Sequence, residues 1–287
     1  MPHTKLILYT AFALLAFAGN SLLCRLALAS TSIDPASFTT VRLISGALAL
    51  WLLVIISRAA AKQPSRSVKA DNISAVALFV YAAGFSFAYV SLPTGTGALI
   101  LFGSVQVTMI GFALWRGERF STLQTLGFLA AMLGLVYLLM PGAFAPSLSG
   151  AALMLLSGMA WGVYSLRGRG SVLPLQSTLR NFTGAVPFAV VLSLLGVSAS
   201  TIDTTGFTYA VLSGVVTSGL GYAVWYTVLP HLRATSAATL QLSVPVIATL
   251  LGVFTLNEQL SLRLVLASLL ILGGIALTLK RTSAPQS

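Results

Sequence analysis

The chain has 287 residues, 57% of them hydrophobic and only 7% charged, with 16 Lys and Arg against five Asp and Glu for a net charge of +11. An ordinary soluble domain is about 25% charged and about 45–50% apolar, so this composition excludes one and describes an integral membrane protein. A single cysteine, Cys24, excludes an intrachain disulfide, and two histidines, His3 and His231, are too few for a metal cluster, so neither metal nor cofactor is expected.

The apolar residues gather in runs close to the ~20 residues that a helix needs to cross ~30 Å of hydrocarbon. The alternation of a membrane β-barrel is absent. Ten transmembrane helices are predicted, the first over 5–27, where the run from Leu6 to Leu23 is too long for a signal-peptide core and is interrupted by Asn20. The second, 37–57, carries Arg42 near its start, and the third, 73–91, places Tyr81 and Phe85 four apart on one face. The fourth, 95–115, has Gln106 near its middle, and the fifth, 122–140, has the small residues Gly127, Ala130, Ala131 and Gly134. Trp161 falls in the sixth, 149–167, Pro187 in the seventh, 181–199, and Tyr222 in the eighth, 207–229. The ninth, 235–256, holds Gln241 and Pro245, and the tenth, 262–280, holds Gly273 and Gly274. Only 58–71 and 167–180 are long enough for real loops.

Basic residues alternate between sides. One set of connections carries Lys5, then Arg58, Lys62, Arg66 and Lys69, then Arg116 and Arg119, then Arg167, Arg169 and Arg180, then Arg233, and finally Lys280 and Arg281, which is 13 of the 16. Positive residues are retained on the cytoplasmic side, so a multi-pass protein of the bacterial inner membrane is expected, with both termini cytoplasmic. Because these charges flank apolar runs, they predict membrane lipids as neighbours and no nucleic acid.

The chain also reads as a duplication. ALWRGERFS, 113–121, and VFTLNEQLS, 253–261, align Glu118 with Glu258 and Ser121 with Ser261. Thr40-Val41-Arg42 with Gly46-Ala47 parallels Thr178-Leu179-Arg180 with Gly184-Ala185, and Phe17-Ala18 with Arg25 parallels Trp161-Gly162 with Arg169. Two five-helix repeats, 1–141 and 142–287, follow, and an odd helix number inverts the second, a construction common in secondary transporters. Both glutamates read as caps, each in a tight turn before the next helix.

These features together carry a resemblance. FAGN at 17–20, WGVY at 161–164, DPASFTTVR with Arg42, the glutamates of WRGERFS and LNEQLS, and Pro245 in LSVPV resemble the drug/metabolite transporter superfamily, specifically its ten-helix EamA-type branch. The resemblance spans the whole chain. It implies an all-α membrane protein of ten helices that exports or exchanges small metabolites, amino acids included, and some similar proteins export aromatic amino acids. Phe17 stands where the family usually has tryptophan, and Gln106 stands near its usual proline.

The candidate substrate-binding residues are the intramembrane amides Asn20, Gln106 and Gln241 and the mid-depth aromatics Tyr81, Phe85, Trp161 and Tyr222. The amides can bond a polar solute or serve as interhelical glue, and the aromatics can stack on a flat apolar group or simply pack. Trp51, Trp115 and Trp225 are expected at the membrane interface. The expected site is a central cavity lined by helices 1, 3, 4, 6, 8 and 9. No catalytic constellation and no GxxxxGK[ST] phosphate loop occurs. The expectation is a secondary transporter, monomer or homodimer, exporting aromatic or other hydrophobic amino acids or similar small metabolites by alternating access. A membrane-embedded enzyme or lipid-handling protein, and an exporter of drugs or other metabolites, are the alternatives.

Overall fold

The computed structural model describes residues 1–61, 71–117, 119–142, 145–168, 171, 173–196, 201–232 and 240–279. Among them the chain forms α1 His3–Ser30, α2 Pro35–Ala61, α3 Asn72–Tyr89, α4 Thr94–Trp115, α5 Thr122–Leu139, α6 Leu148–Gly168, α7 Pro174–Leu195, α8 Thr204–Val228, α9 Ser243–Leu256 and α10 Leu262–Leu279, with no strand. Nine of these are long and apolar enough to span a membrane, and α9, with 14 residues, is the shorter tenth. The chain is a multi-pass membrane protein. Its outward surfaces stay apolar, with Leu48, Trp51, Leu133 and Leu269 each more than half exposed, where a soluble bundle would carry charge.

Capping chemistry fixes where the helices begin. Asp71, Ser121, Asp203 and Ser261 each accept from the backbone N–H three residues on, at 3.1, 3.3, 3.1 and 3.1 Å, and Gln124 completes a capping box with Ser121. Helix α4 follows Pro93 and has no side-chain cap of its own. Its cap is Glu258, whose two carboxylate oxygens accept from Thr94 N at 2.9 and 2.8 Å. The glutamate is therefore a cap, but of α4 and not of the helix that follows it, a role that Ser261 fills. Asn257, left-handed at φ 51°, ends α9 and turns the chain at that point. The equivalent Glu118 lies outside the described residues, as do Lys62, Arg66, Lys69, Arg169, Arg233, Lys280 and Arg281.

Three helices depart from the sequence reading. Helix α7 starts at Pro174 rather than 181, because proline at the first helical position has a preset φ and no N–H to satisfy, and the polar Thr178 beyond it is buried. The loop expected over 167–180 shrinks accordingly. In the ninth segment Leu240 and Gln241 are helical, the helix breaks at Leu242 and α9 runs on from Ser243, while 235–239 lies outside the described residues. Pro245 cannot donate to the carbonyl of Gln241, and the break at Leu242 falls beside that missing bond. Pro187 lies inside α7. Helix α8 changes winding at Ser213–Leu220, a π-helical stretch.

The most extensive helix contacts are paired by exchanging α1–α5 for α6–α10: α1 on α9 matches α6 on α4, and α2 on α8 matches α7 on α3. The α2–α7 and α5–α10 contacts map onto themselves. Helices α5 and α10 form an outer pair beside α4. A Cβ on Gly127 would lie 2.5 Å from Gly274 O, and one on Gly274 would lie 2.5 Å from Gly127 O, so these glycines hold the two backbones together within one chain. Gly273 meets nothing within 4 Å. Gly274→Leu is expected to destabilise the solubilised protein by about 1–3 kcal/mol through overpacking, read as a lower thermal midpoint, while Gly273→Ala leaves that midpoint unchanged.

Candidate functional site

A cavity of about 520 Å³ lies between α1, α3, α4, α6 and α8 and extends to the ends of α6 and α8 at Gly168, Leu229 and Leu232. Among the described residues α5 and α10 contribute nothing to its wall. Asn20, Tyr81, Phe85, Gln106, Trp161, Tyr222 and Gln241 all line it.

Aromatic rings form most of the shell. Trp161 of α6 is the centre, with ring centroids 4.7 Å from Tyr81, 5.1 Å from Tyr222 and 5.2 Å from Tyr164, the last stacked at 27°. Phe17 of α1 closes the ring by edge contacts to Tyr222 at 5.9 Å and Trp225 at 5.7 Å. Helix periodicity produces this arrangement: Tyr81 with Phe85, and Tyr222 with Trp225 and Tyr226, are three or four apart and share one face. Such rings accept a flat apolar group by offset or edge packing.

The amides divide into two kinds. Asn20 is committed: its Oδ1 accepts from Ser213 at 2.7 Å and Thr217 at 3.0 Å, and its Nδ2 donates to Tyr81 Oη at 3.3 Å, which ties α1 to α3 and α8. The π-helical stretch of α8 delivers both hydroxyls. Gln106 and Gln241 bond to no other described residue and keep their donors and acceptors for whatever fills the cavity. Arg42 of α2 is buried against the same wall, 1% exposed. Its Nη2 donates to Tyr81 Oη at 3.2 Å and its Nε to Ser218 Oγ at 3.2 Å. Its guanidinium lies 5.3 Å from the Tyr81 centroid and 5.1 Å from that of Phe85. The close crossing of α2 and α8 depends on Gly214, where a Cβ would collide with Ser45 Oγ and the Arg42 carbonyl.

Two ion pairs bound the cavity at opposite ends of the bundle. Where α3 ends and α4 begins, Arg25 Nη1 donates to the carbonyls of Tyr89 and Val90 at 2.8 and 2.9 Å, and its Nε stands 3.6 Å from Glu258. Each charge therefore sits on the helix end of opposite sign. Beneath this pair Tyr89 is fully buried, edge-on to Phe85 at 4.7 Å, and seals that end. At the other end Arg167 of α6 grips Asp71 with two bonds, 3.1 and 2.9 Å. Partial burial raises the Asp71 carboxyl, but the bonds from Arg167 and Ser74 outweigh it and bring it down to about 2.

Residues 148–280 match the EamA-like transporter family. An uncharacterized protein of Pseudomonas aeruginosa is 53% identical over 97% of this chain and 96% of its own length. The uncharacterized transporter YoaV of Bacillus subtilis is 24% identical over 85% of this chain and 86% of its own. The chain belongs to the EamA-like transporter family. An uncharacterized transporter of Archaeoglobus fulgidus is similar at 23% identity, covering 96% of this chain and 98% of its own. A solved crystal structure superposes on this EamA-like fold with a TM-score of 0.64, covering 96% of this chain and 97% of that one, and at 18% identity it speaks for the fold alone. Membership in the drug/metabolite transporter superfamily follows.

Trp225 and Ser21 in the wall of this EamA-like cavity, and Arg42 behind it, are among the residues that the sequence did not assign to the site. Trp225, expected at the membrane interface, is instead 7% exposed and lines the cavity, because its helical face is shared with Tyr222 and it packs on Phe17. Trp115 lies exposed at the last position of α4, and Trp51 lies exposed ten residues before the end of α2. Ser21 lines the wall beside Asn20, and no residue pattern set it apart. Arg42 had a legible signal, a charge seven residues into α2 and so ~10 Å along an apolar helix.

Two expectations follow for the bounding pairs. Glu258→Gln, which leaves the α4 start poorly capped and Arg25 unpaired, is expected to cost about 0.5–2 kcal/mol, visible as a lower thermal midpoint of the purified transporter. Asp71 has a folded value below the ordinary ~3.9 of a carboxylate, so its contribution is complete above about pH 4 and fades as pH falls toward about 2. Thermal midpoints of wild type and Asp71→Asn are therefore expected to run parallel between about pH 5 and 8 and to converge only under strong acid.

Proposed function

We propose that this EamA-like transporter is a secondary exporter of aromatic or other hydrophobic amino acids, or similar small metabolites, working by alternating access without ATP hydrolysis. The observation that carries the reading is the aromatic cavity with the uncommitted amides of Gln106 and Gln241. The rings accept the side chain and the amides bond the polar part of the solute, which leaves chemically unchanged. The seven lining residues Asn20, Tyr81, Phe85, Gln106, Trp161, Tyr222 and Gln241 constitute the solute site.

The exchange-related helix contacts support two inverted repeats, 1–141 and 142–287, that rock about this cavity. The cavity reaches the ends of α6 and α8, and Tyr89 with the Arg25–Glu258 pair closes the opposite end, which supports one access state of such a cycle. We place the protein in the inner membrane with both termini cytoplasmic, on the distribution of Lys and Arg. No Asp or Glu lies within any of the ten helices. Proton coupling through an intramembrane carboxylate is therefore not part of the mechanism.

Purified protein in liposomes is expected to move labelled amino acids down their gradient, with flux persisting when the pH gradient is collapsed. Trp161→Ala and Gln106→Ala are each expected to weaken apparent affinity about tenfold, equivalent to ~1.4 kcal/mol. Absence of flux across a broad panel of amino acids and metabolites would overturn the reading. Unchanged affinity in both variants would overturn the site.

A further inference from the structure

An arginine inside hydrocarbon needs a partner, and the charges of this chain can be traced one by one. Asp34 accepts from Ala36, Ser37 and Thr201, Asp71 binds Arg167 and Ser74, Asp203 accepts from Ser32 and Gly206, and Glu258 binds Thr94 and Arg25. None of these described carboxylates reaches Arg42. Guanidinium stays protonated under any accessible condition, and burying an unpaired charge costs several kcal/mol. Yet Arg42 is 1% exposed, and its Nη1 has no hydrogen-bond partner.

The position of this charge says what would complete it. Its guanidinium lies behind the rings of Tyr81 and Phe85, both part of the cavity wall, and bonds the Tyr81 hydroxyl directly. That hydroxyl also accepts from Asn20. One N–H of the Asn20 amide remains after the bond to Tyr81, and Ser21 Oγ, in the cavity wall and 1% exposed, makes no hydrogen bond within 3.5 Å among the described residues, with the Tyr89 hydroxyl as its polar neighbour. Ser21 Oγ in the wall and Arg42 Nη1 behind it are thus two buried polar groups beside a cavity whose described lining contains no Asp, Glu, Lys, Arg or His. The potential there is positive and in low dielectric, and nothing in the wall neutralises it.

We propose that the cavity is selective for carboxylate-bearing solutes, with the carboxylate held at Asn20, Ser21 and Tyr81 and its charge balanced by Arg42 acting through Tyr81. The aromatic body of the solute lies among Phe17, Trp161 and Tyr222. Arg42 is a positioning residue, since its contact to the cavity runs through Tyr81: donating to that hydroxyl strengthens it as a donor toward the solute. This deepens the transporter reading and rests on it. It also separates the amino-acid and organic-acid class from cationic drugs, which the same charge repels.

The test uses three probes that share one aromatic body: 3-phenylpropionate, its neutral amide 3-phenylpropanamide, and the cation 3-phenylpropylammonium. Binding to the purified full-length protein is read by tryptophan fluorescence or calorimetry, and the readout is the affinity ratio rather than any single affinity. Wild type is expected to prefer the carboxylate over the amide at least tenfold and to bind the cation most weakly. Arg42→Met brings the ratio to about one, Arg42→Lys keeps most of it, and Tyr81→Phe lowers it severalfold. Should Arg42→Met not fold, judged by size-exclusion profile, the lysine and phenylalanine variants decide. Equal binding of carboxylate and amide by wild type overturns the charge selection while leaving a transporter that moves solute. A preference that survives in both Arg42→Met and Tyr81→Phe overturns the assignment to these residues. Failure to bind any probe together with absence of solute flux overturns both this proposal and the transporter reading beneath it.

Discussion

The contact between Arg42 and Tyr81 is the constraint around which the inner bundle is arranged. A guanidinium is costly in a low-dielectric interior, and here α2, α3 and α8 each supply part of its setting through Nη2, Nε and the Tyr81 ring, with Nη1 left over. The Tyr81 hydroxyl passes the network on to Asn20 and so to α1, while the π-helical winding of α8 supplies Ser213, Thr217 and Ser218 from one short stretch. Four helices are thereby tied at one depth, and the Tyr81 ring that serves the network is also a wall of the cavity. Hydrogen bonding in this bundle fixes the site as well as the fold.

The outer elements follow a different logic. Between α5 and α10 small residues bring the backbones into contact, which supplies the attraction that a hydrophobic effect cannot supply among lipid chains, and Gln124 and Thr278 add hydrogen bonds across one end. The contrast separates the chain into a polar interior and a flank held mainly by close backbone packing. Gly127, Ala131 and Gly134 are buried against α10 within the same molecule, which accounts for them without any partner chain.

Much of this was legible because hydrocarbon imposes strict rules. The helix count and the meeting of seven polar and aromatic residues around one cavity follow from run length and depth. What was not legible depends on which way a helix faces. Trp225 looks like an interfacial anchor by position, and only its shared face with Tyr222 turns it inward. The start of α7 was hidden because Gln176, Ser177 and Thr178 read as loop residues, although Thr178 is buried in the bundle. Glu258 was recognisable as a cap, but the helix it serves lies 164 positions away in the chain, and no local pattern encodes that distance.

That long-range cap has a consequence for hydration. While the α3–α4 turn stays closed, the Thr94 N–H and hydroxyl and the Glu258 carboxylate satisfy one another with little solvent. In the proposed alternating cycle, drawing α9 away from α4 strands an amide donor, a hydroxyl and a carboxylate together, and water is the partner that can take up all three. Opening that end therefore means wetting it. The balance between the two access states is set in part by the activity of water, so the same protein stands differently poised in dilute and in dehydrating surroundings, with no change in any side chain.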